Sequence, residues 1–181
     1  RRLPDLRFEG AVHESVRAFL LAHPGGTRAV AADIVHYGAV ASLRANRNKY
    51  RRNVQLLERR LRDEPDDFTI HGYLAHEHLG VGDDEAAMAA VEAGWRALEA
   101  ADPGSLRSAL RLAAARGLLA LRRGDGPTLL ATAALAERYE GPHPDLHHFA
   151  GRGHELIALQ AIGDARLAAL SSAAARYRQA L

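Results

Sequence analysis

Glycine followed by aspartate recurs at Gly82-Asp83, Gly124-Asp125 and Gly163-Asp164, at intervals of about forty residues, the length of a two-helix unit with its linkers. Each pair falls between two helix-length segments. There glycine can take the left-handed conformation that ends one helix, and aspartate can cap the first turn of the next. Pro65, Pro103 and Pro142 fall between these units, where proline closes a helix without interrupting one. The punctuation predicts helices over about 40–62, 67–80, 84–101, 105–123, 127–139, 145–162 and 165–180, paired as hairpins. A hairpin that leaves one apolar face open is covered by its neighbour, so the chain from residue 40 to 181 is expected to form one array.

Within that array the small residues are periodic. Seven residues before each turn glycine stand Ala75, Gly117 and Leu156; five after stand Ala87, Leu129 and Ala168; twelve after stand Gly94, Ala136 and Ala175. Small residues there let two helices approach closely. With the turn glycine and the closing proline, this pattern resembles the tetratricopeptide repeat, with Leu156 and Leu129 as departures from its consensus. Asn53, Leu57 and Arg60 stand in the equivalent places of an earlier half-unit. The fold class this implies is mostly α: a tetratricopeptide-like array of antiparallel helical hairpins, preceded over 1–39 by a short mixed strand and helix segment.

Composition supports helices. Of the residues 48% are hydrophobic but only 6% aromatic, and the apolar share is rich in alanine, the strongest helix former, and leucine. The net charge is +2 at neutral pH with Lys49 the only lysine, a skew toward arginine that fits coding bias better than a phosphate-binding surface. No basic block exceeds Asn48-Lys49-Tyr50-Arg51-Arg52, so nucleic acid is not an expected partner. Cysteine is absent, which removes disulfide and thiolate chemistry. No run of about eighteen apolar residues is present, so no membrane span is expected. The sequence reads as a cytoplasmic fragment of something longer.

The first forty residues differ in texture. Leu6-Arg7-Phe8-Glu9-Gly10 and Ile34-Val35-His36-Tyr37-Gly38 read as short strands ending at glycine, with a possible helix from Val12 to Ala22 between them. The stretch from Leu6 to Glu14, the Ile34–Gly38 segment, the Arg44-Ala45-Asn46-Arg47-Asn48-Lys49 stretch, Leu56-Leu57-Glu58 and Glu64-Pro65-Asp66-Asp67 follow one another in an order and spacing that resembles family-2 glycosyltransferases carrying C-terminal tetratricopeptide repeats. The resemblance covers residues 6 to 103, with Ala39 departing from a position where that family often has an aromatic.

The resemblance implies that residues 1–39 are the end of a GT-A-like catalytic domain and 40–181 its repeat region, serving acceptor or protein recognition or self-association. It implies a parent enzyme that uses a nucleotide sugar and a divalent metal, Mn²⁺ or Mg²⁺, with no cofactor held by this fragment. His13 matches a late histidine that helps hold the metal on the donor diphosphate, with Glu14 beside it as orienter or proton acceptor; the metal neutralises the leaving group and a carboxylate can take the acceptor proton. His36, Tyr37, Arg44, Arg47 and Arg51 are the candidate binding residues. The donor-binding sheet and an Asp-any-Asp motif are missing from this sequence, so the fragment is expected to be inactive by itself. The Asp63-Glu64, Asp66-Asp67 and Asp83-Asp84-Glu85 clusters read as helix caps.

Plainer readings stand beside these. His13-Glu14 could be a surface pair, His36-Tyr37 packing at a strand end, and the arginines between Arg44 and Arg62 a solvated helix face. His71, His76 and His78, and His143, His147, His148 and His154, lack the convergent spacing of a zinc site. Trp95 and Met88 read as core. The alternative to a transferase region is a stand-alone adaptor that binds a peptide or protein in the groove of the array; a homodimer and a small-molecule sensor are also compatible with the pattern.

Overall fold

The computed structural model describes residues 6–7, 16–23, 25, 49–104 and 107–181. A short helix, α1 (Arg17–Ala22), stands within the expected Val12–Ala22. Seven helices follow: α2 (Lys49–Asp63), α3 (Phe68–Leu79), α4 (Asp84–Ala100), α5 (Leu110–Arg123), α6 (Gly126–Glu140), α7 (Pro144–Gln160) and α8 (Asp164–Ala180). They pack in sequential hairpins, each helix on the next, and α3 also packs on α5 and α5 on α7. Among the described residues there is no strand, and no helix is long and apolar enough to cross a membrane.

The turns form for the expected local reasons. Gly82 (φ 80°) and Gly124 (φ 67°) take the left-handed conformation, which costs any residue with a Cβ more than glycine. Asp83 then caps α4 through the Ala86 amide, and Asp125 caps α6 through the Thr128 amide. The third unit departs from this: Gly163 is itself the residue before the helix, and Asp164 falls inside the first turn without capping it. Asp67, at the end of the Glu64–Asp67 turn, is buried and caps α3 by accepting from the Thr69 and Ile70 amides. Two of the acidic clusters are therefore capping sites.

The core runs continuously from Leu57 on α2 through Phe68, Ala75, Ala87, Leu98, Leu112, Leu119 and Ala136 to Leu146 on α7, each at 1% exposure or less. Trp95 is buried and Met88 packs against the core, as expected. The small-residue register holds for the first two units, where Ala75, Gly117, Ala87, Gly94 and Ala136 are all buried. It fails in the last hairpin: Ala168 and Ala175 are exposed, and α8 instead buries Ala169 and Ala173. The reason lies on α7, where the Tyr177 ring fills the notch over Gly151; a Cβ there would come within 2.5 Å of the ring. That contact turns α8 about its axis.

Helix α5 begins at Leu110, not at 105. Its start is set by distant partners. The Glu140 carboxylate accepts from the Ala109 amide at 2.5 Å, and the Thr69 hydroxyl donates to the Ser108 carbonyl at 2.8 Å. No local signal encodes either contact.

The tightest crossing joins α3 and α5. A Cβ at Gly72 would lie 2.5 Å from the Leu112 backbone nitrogen, and backbone can relieve such a clash only by moving a helix. Gly72→Ala is expected to destabilise the fold by about 1–3 kcal/mol, read as a lower denaturant midpoint at unchanged slope. Asp125 gives a second test. Hydrogen bonds from the Thr128 hydroxyl and amide, with help from Arg116 and Arg123, hold its carboxyl below the ordinary carboxylate value against a smaller opposing effect of burial. A depressed folded pKa contributes stability that is present above the unfolded value and is lost as pH falls through the folded one. In acid titrations followed by circular dichroism, Asp125→Asn should keep the cap and remove this part of the acid sensitivity. An unchanged acid limb would contradict the assignment.

Candidate functional site

A concavity of about 630 Å³ opens between the α2–α3 turn, one side of α4 and the connection from α4 to α5. Its floor is Ala93, Ala97 and Ala100, which share one side of α4 by helical spacing. Methyl side chains keep this floor low enough for a backbone to approach. The rim carries Asp66, Arg96, Asp102, Arg107 and His71, two carboxylates facing two guanidiniums and an imidazole.

The walls are held in place by charge and by capping. Arg107 lies 3.1 Å from Glu64 and 3.6 Å from Asp67, while Arg60 on α2 lies 3.7 Å and 3.6 Å from the same two carboxylates. These four residues join α2, the cap of α3 and the residues entering α5. Glu64 and Arg107 are well exposed, so each pair by itself contributes little; what they fix is geometry. Asp102 accepts from the Gly104 amide at 2.9 Å and shapes the turn after α4. The Tyr139 hydroxyl, from the end of α6, is shared between the carbonyls of Leu98 (2.5 Å) and Ala101 (2.9 Å), closing the last turn of α4. The Tyr139 ring meets Phe68 edge-on at 5.8 Å.

His71 stands where α3 meets α4. Its Nε2 lies 2.8 Å from the Pro65 carbonyl, and only a donor satisfies that oxygen, so Nε2 carries the proton. Nδ1 is buried and without a partner. The imidazole fits because Gly94 faces it: a Cβ there would lie 2.5 Å from the His71 Cβ. The ring is thus fixed in tautomer and position by one loop carbonyl and one glycine.

The sequence candidates fall differently. His13, Glu14, His36, Tyr37, Arg44 and Arg47 lie outside the described residues, as do the expected strands apart from Leu6 and Arg7, which have no regular structure, and the part of the first expected helix before Lys49. Arg51 is described and exposed on α2, with Arg52, Arg59 and Arg62 likewise exposed, so this part of the arginine-rich helix presents a solvated face. Arg60 is the exception, turned onto Glu64 and Asp67.

The histidines disperse. His78 Nδ1 lies 3.0 Å from the Tyr50 hydroxyl, and with the Asn53–Glu77 hydrogen bond at 2.9 Å it ties α2 to α3. His143 caps α7 through the Asp145 amide. His147 Nδ1 is 3.2 Å from both Glu137 on α6 and Arg176 on α8. Burial, with Arg176 adding to it, pushes His154 below the ordinary imidazole value. Among the described residues no group of three or more His, Asp or Glu is placed to hold a metal ion.

Sequence reading missed Tyr139, Glu140, Arg107 and the alanine floor. Of these only the floor left a signal, three alanines at i, i+4 and i+7 on a helix that needs just one buried face. No protein-family model, no curated protein and no solved structure matches the chain.

The wall contributed by Tyr139 is testable. Tyr139→Phe keeps the ring against Phe68 and removes the hydroxyl that the Leu98 and Ala101 carbonyls share, the Leu98 carbonyl keeping only the Ala101 amide, so a loss of about 1–2 kcal/mol is expected. Hydrogen exchange should rise most at the end of α4; a uniform rise along the chain would show that the hydroxyl does not act on that turn.

Proposed function

We propose that the seven helices form a degenerate tetratricopeptide-like recognition array that holds an extended polypeptide segment in the α3–α4 groove. In this reading the array is the C-terminal recognition region of a nucleotide-sugar-dependent glycosyltransferase and is not catalytic by itself. The observation that carries the reading is the groove: an alanine floor between a balanced set of acceptors and donors, on walls fixed before any ligand arrives. A peptide backbone offers alternating donors and acceptors at close approach, and that chemistry is what Asp66, Asp102, Arg96 and Arg107 can meet. Hairpins of similar length, left-handed glycines at the turns and contacts from each first helix to the next support the repeat assignment. The transferase context rests on the resemblance of residues 6 to 103.

The groove is tested by selecting binders from a displayed peptide library on the protein and comparing them on Ala97→Trp, which fills the floor. Selected peptides should lose at least about tenfold in affinity on the filled variant, with its helical content and unfolding midpoint kept. Equal binding to both proteins would place recognition elsewhere. Titration of UDP- and GDP-sugars with Mn²⁺ separates the two contexts. Turnover by the parent polypeptide but not by these 181 residues supports the transferase; no response from either leaves a stand-alone adaptor.

A further inference from the structure

A second cavity, about 290 Å³, opens where α4, α5 and the start of α6 meet. Its centre is Arg116 on α5. The guanidinium carbon stands 3.8 Å from the centroid of the Trp95 ring, a stacking distance that fixes the plane of the group. Nη1 is buried and makes no hydrogen bond. Burial lowers the Arg116 pKa, opposed by the charges of Glu99 and Asp125, so the cation is held in a place that costs it hydration.

Arg96 and Arg123 also line this cavity. Among the described residues none of the three arginines has a carboxylate within ion-pair distance, and Arg123 meets only the Met88 sulfur, at 4.0 Å. Two acids line the cavity with them, and Glu99, outside its lining, acts on Arg116 more strongly than Asp125 does. Asp125 is committed to the α6 cap, accepting from the Thr128 amide at 3.0 Å and its hydroxyl at 2.6 Å. Glu92 is exposed. Over a floor of Met88, Val91 and Trp95, the Arg116 guanidinium thus keeps one donor without a partner and no carboxylate in contact with it.

We infer that this cavity is an oxyanion site that takes the carboxylate of an acidic side chain on the bound polypeptide, Arg116 making the charged hydrogen bond and Trp95 keeping the guanidinium flat to receive it. The volume suits one side chain and is small for a nucleotide. Arginine presents parallel donors that match a carboxylate, and a partly dehydrated guanidinium gains more from such a partner than a solvated one. The inference rests on the polypeptide-binding reading above and names one chemical feature of the ligand. Free phosphate offers the same oxyanion chemistry, so the test includes it.

Trp95 is the only tryptophan, so its emission reports on this cavity directly. The full chain is titrated with a short acetylated and amidated peptide of glutamate and leucine, with its glutamine counterpart, and with inorganic phosphate. The glutamate peptide should shift Trp95 emission saturably and more weakly as salt rises. Arg116→Met should reduce its affinity at least about tenfold, the scale of one charged hydrogen bond, and Arg116→Lys by less. Arg178→Met, at an exposed position on α8, should leave it unchanged. If Arg116→Met does not fold, Arg123→Met is the second variant and should weaken binding in the same direction.

Equal titration by the glutamine peptide, or indifference to the variants at both Arg116 and Arg123, overturns the inference. Saturation by phosphate that the glutamate peptide cannot displace overturns the carboxylate assignment in favour of a free anion. Library-selected peptides that depend on Ala97 but ignore Arg116 would remove this site while leaving the groove reading intact. Dependence on Arg116 without dependence on Ala97 would do the reverse.

Discussion

The architecture depends on backbone meeting backbone at glycine. Gly72 lets α3 lie against the backbone of α5, and Gly126 and Gly153 do the same for α6 and α7, where a Cβ on either would come within 2.9 Å of the other's carbonyl oxygen. Gly94 admits His71, and Gly117 admits the Phe149 ring. A glycine inside a helix costs roughly 1 kcal/mol against alanine. The close approach offsets that cost through the dense contacts it permits. Every helix from α3 to α8 takes part in at least one such crossing, so the hairpins cannot slide past one another without a clash or a void.

From those crossings follows the shape of both candidate sites. Because His71 is seated against Gly94, α4 is held at a fixed distance from α3, and its alanine side becomes the floor of the larger groove. The same helix turns Met88, Val91 and Trp95 toward α5, where Arg116 stacks on the indole. Arg96 contributes to both concavities. The C-terminal ends of α4 and α6 are coupled through Tyr139, and the start of α5 through Glu140. Two adjacent residues at the end of one helix thus set the ends of two others.

The last hairpin shows the cost of lying at the end of the described array. α8 buries only Ala169 and Ala173, and Leu159, Ile162, Leu167 and Leu170 around the α7–α8 turn are exposed. An internal helix has neighbours on two sides and its register is fixed by both. α8 has contacts on one side, chiefly α7, and the Tyr177–Gly151 contact decides its rotation. This is why counting from Gly163 gave Ala168 and Ala175 as the packing positions and the structure uses their neighbours.

The sequence by itself determined where most of the helices stop and start. Left-handed glycines, capping aspartates and closing prolines act within a few residues, and local sterics and hydrogen bonds are written in local sequence. It also determined the buried small residues of the first two units, Ala75, Ala87, Gly94, Gly117 and Ala136, because helical periodicity converts spacing into a face. Only the tertiary structure decided that α5 starts at Leu110, that His71 is locked with Nδ1 bare, that Arg107 joins Glu64 and Asp67, and that Arg116 lies over Trp95. Apart from the bond from His71 to the Pro65 carbonyl, which spans 6 positions, those contacts join residues twenty to more than forty positions apart. Their energy depends on distance and burial in three dimensions, quantities that no spacing along the chain contains.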